Sequence, residues 1–505
     1  VINSIVPAAR VEVVEIMVRR TRIAALLALA MINVFTLTAG IAVARMLPAR
    51  LAALHVPTVA TAPVTSRGAV LGTGTQDGPL PTASGLRKAL AGPLSAAALG
   101  PEVSALVADP ATGRMLLSEH GTRLMTPAST TKLATALAAL AVLGPGARFT
   151  TRVVRGATPD GIILVGGGDP TLAVNPFPAQ DYPQPATLAS LAASTARALR
   201  AQGRRTVVLG YDTSLYSGPQ MAPGWPAAYV STGDVTPIVS LEVDQGRLTV
   251  AGQPEDSDDP YNLQPRSSDP AGLAAASFAA LLTADGIRVT GGPTPQTAAA
   301  QNGAQIASVT SPPLSAIVAQ MLEESNNVIA ENLARQVALT TSEPATFSGA
   351  ARAVTGELER LGVTTGIRLV DGSGLSPQDA IAPAALVKVL EVATDRPAYR
   401  ALLAGLPVAG FSGTLSAGES VFAGISGAAL GSVRAKTGNL GTVASLAGLT
   451  YDKSGAVLVF AIMADRVPSA GLLKDAANAI DAAASALAGC GCRLRALPAA
   501  RTVGL

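Results

Sequence analysis

The sequence predicts an α/β chain of the α+β kind, with a second module inserted into the first. Three observations carry that expectation. Val433 to Gly438, Val443 to Thr450 and Ala456 to Met463 read as three successive antiparallel strands, followed by an amphipathic helix from Leu472 to Leu487. An Ala/Leu-rich run from Thr130 to Leu143 reads as a buried helix directly after a strand hairpin. Between about residues 149 and 311 the texture changes to short strands, glycine turns and isolated helices, which marks an inserted module with its own small core.

Length and composition set the frame. At 505 residues the chain suggests two or three folding units, and 49% hydrophobic residues leave no question of core burial. A net charge of +3, with no dense Lys/Arg run, argues against a nucleic-acid binder. His55 falls in a linker, which leaves His120 as the one histidine of the folded part. Without Gly-x-Ser-x-Gly or His-Glu-x-x-His, a Ser-His-Asp triad or a zinc protease has little to stand on, and no metal or other cofactor is expected. Cys490 and Cys492 are one residue apart. A bridge between them would be strained, and two thiols do not make a metal site, so they read as a tail feature remote from the chemistry.

Taken in order, the chain opens with a short segment, 1–22, expected in the cytoplasm. Ile23 to Ala44 is 22 residues without a charge, long enough as a helix to cross roughly 30 Å of hydrocarbon. Arg19, Arg20 and Arg22 precede it and orient the rest of the chain outward. Ala42-Val43-Ala44 resembles a signal-peptidase site, but the apolar run is long for a leader core, so a retained anchor is favoured over a cleaved export signal. Residues 45–83, rich in Pro, Thr, Ala and Gly, read as a flexible stalk.

Order is expected from Ser84, with a helical stretch to Leu99 that breaks near Pro93, then strands at Val103–Asp109 and Met115–Glu119 around Pro110-Ala111-Thr112-Gly113. Within the module, Val153-Val154 and Ile162 to Val165 flank a Pro159-Asp160-Gly161 turn. Gly166-Gly167-Gly168-Asp169-Pro170 reads as a tight turn and not a phosphate cradle. Ala186–Gln202 reads as a helix, Thr206–Gly210 as a strand, Ile238–Val243 with Arg247–Val250 as a hairpin, and Asp269-Pro270 opens a helix to about Asp285. From Leu314 two amphipathic helical segments are expected. Then come a helix at Phe347–Leu361, a strand at Ile367–Val370, an Asp371-Gly-Ser-Gly-Leu-Ser376 loop and helices near 383–404. Two stretches, 84–148 and 311–489, are expected to form one domain, with 149–310 inserted and 490–505 a tail.

The chemistry centres on Pro127-Ala-Ser129-Thr-Thr-Lys132. A helix starting at or near Ser129 sets the Ser129 hydroxyl and the Lys132 amine one turn apart on one face. Serine needs a base, and a lysine kept neutral by burial and a neighbouring cation can be one. The helix N-terminus offers N–H groups to a developing oxyanion. The chain has six lysines against thirty-one arginines, and no other lysine has a serine three residues before it. Ser325-x-Asn327 and Lys436-Thr437-Gly438 come later in that order, each present once. Singly, these are a helix-start serine, a loop Ser-Asn and an edge-strand lysine. Together they are the trio that marks β-lactamases and penicillin-binding proteins.

The gap from the first motif to the second is 325 − 129 = 196 residues and holds the module. With Gly166-Gly-Gly-Asp-Pro-Thr-Leu172, Asp212-Thr-Ser-Leu-Tyr216, Ala222-Pro-Gly-Trp225, the Asp371–Ser376 loop and Leu406-Pro-Val-Ala-Gly-Phe-Ser-Gly-Thr-Leu415, the chain from about Ser84 to Leu487 resembles the low-molecular-mass class C penicillin-binding proteins. These are D-alanyl-D-alanine carboxypeptidases/endopeptidases. The resemblance implies a serine β-lactamase-like domain, an antiparallel sheet flanked by helices plus a helical subdomain, with inserted domains. It also implies peptidoglycan stem peptide as substrate and β-lactams as inhibitors.

In that reading Ser129 attacks the penultimate D-alanine carbonyl, Lys132 takes its proton, and the backbone N–H groups of Ser129 and Asn439 hold the oxyanion. Ser325 relays a proton to the leaving amine, and Asn327 binds the substrate amide and orients Lys132. Cationic Lys436, with Thr437, binds the terminal carboxylate, and Gly438 lets the substrate lie along the strand. Relatives commonly carry a basic residue after the Asp-Gly-Ser-Gly-Leu-Ser loop which, with the counterpart of Asp212, shapes a side-chain pocket; here Pro377 stands there. The position after Lys-Thr-Gly, more often Ser or Thr, is Asn439. Two other readings compete: a β-lactamase using Glu357 or Glu359 to activate water, and a non-catalytic cell-wall peptide binder.

Overall fold

The computed structural model describes residues 78–248, 264–298, 304–417 and 427–491. The expected cytoplasmic segment, the 23–44 anchor and most of the stalk lie outside these residues. Among the described residues no helix is long and apolar enough to cross a membrane.

The elements in chain order begin with α1 (Ala83–Leu94), whose start is set by Thr82, its side chain accepting from the Gly85 N–H at 3.1 Å. Strands β1 (Val103–Asp109) and β2 (Arg114–Glu119) precede α2 (Thr131–Leu143). Then come β3 (Thr150–Arg155), β4 (Gly161–Val165), α3 (Leu188–Ala201), β5 (Thr206–Asp212) and the short α4 (Ala228–Thr232). Next are α5 (Pro270–Ala284), β6 (Arg288–Val289), β7 (Thr294–Pro295) and β8 (Gln305–Thr310). A helical stretch comes next with α6 (Leu314–Glu323), α7 (Asn327–Thr340) and α8 (Phe347–Arg360). After it come β9 (Ile367–Arg368), β10 (Ala380–Ile381), α9 (Pro383–Asp395) and α10 (Arg400–Ala404). Strands β11 (Arg434–Leu440), β12 (Val443–Tyr451) and β13 (Val457–Ala464) lead to α11 (Leu473–Ala488).

The first and last parts of the chain share one antiparallel five-stranded sheet, in the order β11-β12-β13-β1-β2. Strand β13 is buried along its whole length, and its side chains divide by the period of two. Leu458, Phe460 and Ile462 join α1 and α11 on one face. Val459, Ala461 and Met463 join α2 and α6–α9 on the other. Helix α2 is apolar all round because it is enclosed, packing against α6, α7, α8 and α9. Burial on every side fixes its position, and with it the position of the Ser129 turn at its start.

Strands β3–β8 form a separate mixed six-stranded sheet, order β6-β5-β4-β3-β8 with β7 beside β5. Its core, including Leu164, Leu191, Leu209 and Phe278, is distinct from the two around the five-stranded sheet. The expected Ile238–Val243/Arg247–Val250 hairpin does not form. Ile238 buries against Trp225 and Val328, while Leu241 and Val243 bury in the six-stranded sheet's core, so the stretch is held by two hydrophobic clusters and not by a ladder. Arg247 makes an isolated antiparallel bridge with Arg266; residues 249–250 lie outside the described set. The expected Ile367–Val370 strand is cut to two residues, because the Asp379 carboxylate takes the Val370 N–H at 2.6 Å and ends the pairing. Cys490 is buried and disulfide-bonded.

Phe460 tests the layered core. Phe460→Ala is expected to lower unfolding stability by about 3–5 kcal/mol, read from urea denaturation. A loss under about 1 kcal/mol would contradict the packing described.

Candidate active site

The nucleophile sits on a strained turn. The helix begins near Ser129 as expected, through a 3-10 turn over Ala128–Thr130 that leads into α2 at Thr131. Ala128, directly before the serine, has φ 48°, a left-handed conformation unfavourable for a residue with a Cβ. Three contacts hold the turn. Thr130 Oγ1 donates to the Pro127 carbonyl at 2.7 Å, Ser445 Oγ on β12 donates to the same carbonyl at 2.7 Å, and Gly374 lies against the Ala128 carbonyl. Ser129 itself is half-buried and reachable from solvent.

Lys132 is fully buried, and its Nζ has three neighbours: Ser129 Oγ at 2.8 Å, Asn327 Oδ1 at 2.6 Å and the Ser373 carbonyl at 2.8 Å. Burial lowers its pKa from 10.5 to about 7, against the opposing charges of Asp371, Glu331 and Asp379. A neutral amine has two N–H bonds and one lone pair. The two carbonyl oxygens can only accept, so they take both N–H bonds, and the lone pair is left facing the Ser129 hydroxyl. That is the arrangement a general base needs.

The second motif reaches the same amine. Ser325 is half-buried with φ 57°, another left-handed non-glycine residue, and leads into α7. Asn327, on the first turn of α7, gives its Oδ1 to Lys132 while its Nδ2 donates to the Asp234 carbonyl at 2.9 Å. The amide orientation is thereby fixed from both ends.

The third motif lies on β11, an edge strand of the sheet. Lys436 is fully buried, and its Nζ donates to the Thr437 carbonyl at 2.9 Å. Burial first, and Lys132 second, push its pKa well below the ordinary lysine value. Thr437 Oγ1 lies 2.8 Å from Thr414 Oγ1. Gly438 has a reason the sequence did not reveal. A Cβ there would stand 2.2 Å from Ser445 Oγ, 2.7 Å from the Pro127 carbonyl and 3.2 Å from the Ser129 nitrogen. Only glycine lets the strand approach the nucleophile turn. Asn439 is exposed on the same strand, paired in register with Ala444.

Asp212 stands apart from this cluster. It is buried at the end of β5, where its two oxygens accept from the Ser214 and Ala298 N–H groups at 2.7 Å each. Glu357 is forked onto Arg360 at 2.5 and 2.7 Å, and Glu359 lines an outer groove of about 600 Å³ with Arg352 and Arg368. Neither glutamate makes a contact with Ser129 or Lys132.

Sequence reasoning missed a group of buried acids. Glu331, Asp371 and Asp379 lie beneath Lys132, at most 2% exposed. Burial is the main cause that pushes Glu331 up to about 8 and Asp379 up to about 10, with Asp371 adding to both. Asp371 accepts from the Ser373, Gly374 and Ser376 N–H groups and from Trp225 Nε1 at 2.8 Å. The signal for Glu331 was its place four residues after Asn327, on the same helix face.

The glycine contact yields a prediction. Gly438→Ala must displace either β11 or the Ser129 turn, so covalent labelling by a fluorescent penicillin is expected to slow roughly 10–100-fold in a folded protein. Labelling at the native rate would show that the close approach is not needed.

Comparison with known proteins agrees with this geometry. The D-Ala-D-Ala carboxypeptidase 3 (S13) family model matches residues 86–264 and 239–487. The chain is 38% identical over 420 residues to carboxypeptidase DacB of Mycolicibacterium smegmatis, covering 82% of this chain and 86% of that one. It is 29% identical over 427 residues to a D-alanyl-D-alanine carboxypeptidase of Actinomadura, covering 71% and 76%. The crystal structure of penicillin-binding protein 4 (dacB) from Haemophilus influenzae shares the fold, with a TM-score of 0.61 at 22% identity over 80% of this chain and 100% of that one. With the fold, the serine–lysine pair and these matches in agreement, the chain belongs to the D-Ala-D-Ala carboxypeptidase 3 (S13) family of serine peptidases.

Proposed function

We infer that this chain hydrolyses the D-alanyl-D-alanine bond of peptidoglycan stem peptides through an acyl-serine on Ser129, and that penicillin is held as the same kind of acyl-enzyme. The observation that carries the reading is the buried Lys132 amine, 2.8 Å from Ser129 Oγ with both N–H bonds committed to carbonyl oxygens.

In the first step the Ser129 oxygen bonds to the penultimate D-alanine carbonyl carbon while its proton passes to Lys132 Nζ. The Ser129 and Asn439 N–H groups receive the oxyanion. The C–N bond then breaks, and Ser325 relays the proton held by Lys132 to the departing amine, which leaves Lys132 neutral again. A terminal substrate carboxylate entering beside Lys436 supplies a counter-charge to a lysine whose pKa is depressed in the free protein, so binding favours its ammonium form. Beyond the Val408–Arg434 bridge and the Ala435 N–H bond to Pro407, the Thr437–Asn439 stretch of β11 would offer backbone partners to an extended peptide. Water releases the acyl group in the carboxypeptidase reaction. When the scissile bond belongs to a cross-link, the same steps give endopeptidase cleavage.

Such a substrate lies outside the cytoplasm, and the apolar 23–44 run supports an N-terminal anchor or an export signal preceding a stalk. The six-stranded sheet supports a division into 84–148 with 311–489 as the peptidase domain and 149–310 as its insert. The β-lactamase reading is weakened by Glu357, which is paired with Arg360. A pure peptide binder has no use for a neutral buried lysine against a serine.

Two experiments test this. Ser129→Ala is expected to abolish covalent penicillin labelling while the circular dichroism spectrum stays native; undiminished labelling would remove the assignment. Lys436→Ala is expected to weaken turnover of D-alanyl-D-alanine peptides by about 2–4 kcal/mol in kcat/KM, with poor rescue by arginine. Kinetics near native for the alanine variant would contradict the carboxylate-binding role.

A further inference from the structure

The acid group beneath Lys132 has no part in the acyl-transfer steps, yet it connects to the amine by a short path. Glu331 lies on α7 one turn beyond Asn327, so a single helix face carries both. Its carboxylate, 1% exposed, accepts from the Gly372 N–H at 3.0 and 3.1 Å and from the Ser373 N–H at 2.8 Å. The carbonyl of Ser373 is one of the two acceptors on Lys132 Nζ. On the far side of the same loop, the Gly372 carbonyl accepts from Thr135 Oγ1 of α2 at 2.6 Å. The loop therefore hangs between the helix of the base and the helix of the Ser-x-Asn motif, and Glu331 is its attachment to the latter.

We propose that Glu331 is a positioning residue of the acylation step, holding the Gly372–Ser373 backbone so that the Ser373 carbonyl fixes the Lys132 amine against Ser129. The inference rests on Lys132 being the base that deprotonates Ser129. Its physical content is directional. With Asn327 Oδ1 and the Ser373 carbonyl both in place, two N–H bonds are assigned and the lone pair has one direction left. With Ser373 displaced, the amine turns about its Cε–Nζ bond, and an N–H competes with the lone pair for the Ser129 hydroxyl. In the proposed binding mode substrate groups meet β11, the Ser129 turn and the Asn327 amide, whereas the bonds of the Glu331 carboxyl group go to Gly372 and Ser373. Loss of Glu331 should therefore slow bond making without weakening binding.

Two backbone N–H groups aimed at one carboxylate also explain why a buried acid stands here. An alanine would leave the Gly372 N–H unsatisfied and the Ser373 N–H to Asp371 alone, whereas glutamine keeps one acceptor oxygen and the volume.

The test uses the full chain and stopped-flow acylation by a fluorescent penicillin, separating the saturating acylation rate from the half-saturating concentration. For Glu331→Gln the saturating rate is expected to fall roughly 10-fold, and for Glu331→Ala roughly 100-fold. The half-saturating concentration should be unchanged, and all the protein should be acylated at the end point. If the alanine variant fails to fold, the glutamine variant carries the test. A saturating rate within two-fold of native in the glutamine variant overturns the proposal. So does a slowed reaction matched by an equal loss of acylatable protein, because that is a folding defect alone. Lys132→Ala distinguishes the two levels. If it acylates at the native rate, the base assignment fails and this inference with it; if it is inert while Glu331→Gln is unaffected, only this inference fails.

Discussion

The structure depends on one amine kept out of water. Lys132 loses its hydration on burial, and the interior offers in exchange only two carbonyl acceptors and a serine hydroxyl, with no carboxylate in hydrogen-bond contact. Those neighbours satisfy a neutral amine and under-serve an ammonium, so desolvation outweighs the acids lying further off. Had Glu331 or Asp371 touched Nζ directly, an ion pair would have formed and the base would be lost. Placing a peptide carbonyl between the acid and the amine keeps the geometry and avoids the salt bridge.

Three parts of the chain far apart in sequence must meet for this to hold. Helix α2 brings the serine and lysine, α7 brings Asn327 and Glu331, and the 371–376 loop brings the Ser373 carbonyl. The segment between β5 and α5 adds two ties. The Asp234 carbonyl fixes the Asn327 amide, and Trp225 donates to Asp371 while packing edge-on against Phe347, ring centres 5.3 Å apart. The chain inserted between the first two motifs thus closes the hydrogen-bond shell of the site as well as building its own sheet. Two left-handed non-glycine residues also stand here, Ala128 directly before Ser129 and Ser325 within the second motif.

Much of this was legible in the sequence because it rests on local rules. The period-two strands β11–β13, the apolar α2 and the Ser129–Lys132 spacing follow from side-chain periodicity, and they appear within a few residues of expectation. What could not be read was set by tertiary contact. The Ile238–Val243 stretch has strand-like composition, yet two separate clusters claim its side chains. The helix start near Ser129 was legible, but its 3-10 form was not, nor were the contacts of Ser445 and Gly438 with that turn from another element. Glu331 read as one more polar position on an amphipathic helix, and its partners lie 41 and 42 residues away. Gly438 was understood as room for substrate, whereas its first contact is the protein's own backbone.

The central claim is that Lys132 gives up its proton near neutral pH in the free protein. It is tested most directly by titrating the lysine side chains by NMR, with carbon-13 at the ε position and Lys132→Ala used to assign the signal. Six lysines in the chain keep that spectrum tractable. The account predicts one lysine, absent from the variant, with a midpoint near 7. A Lys132 midpoint at the ordinary value of 10.5 would contradict it.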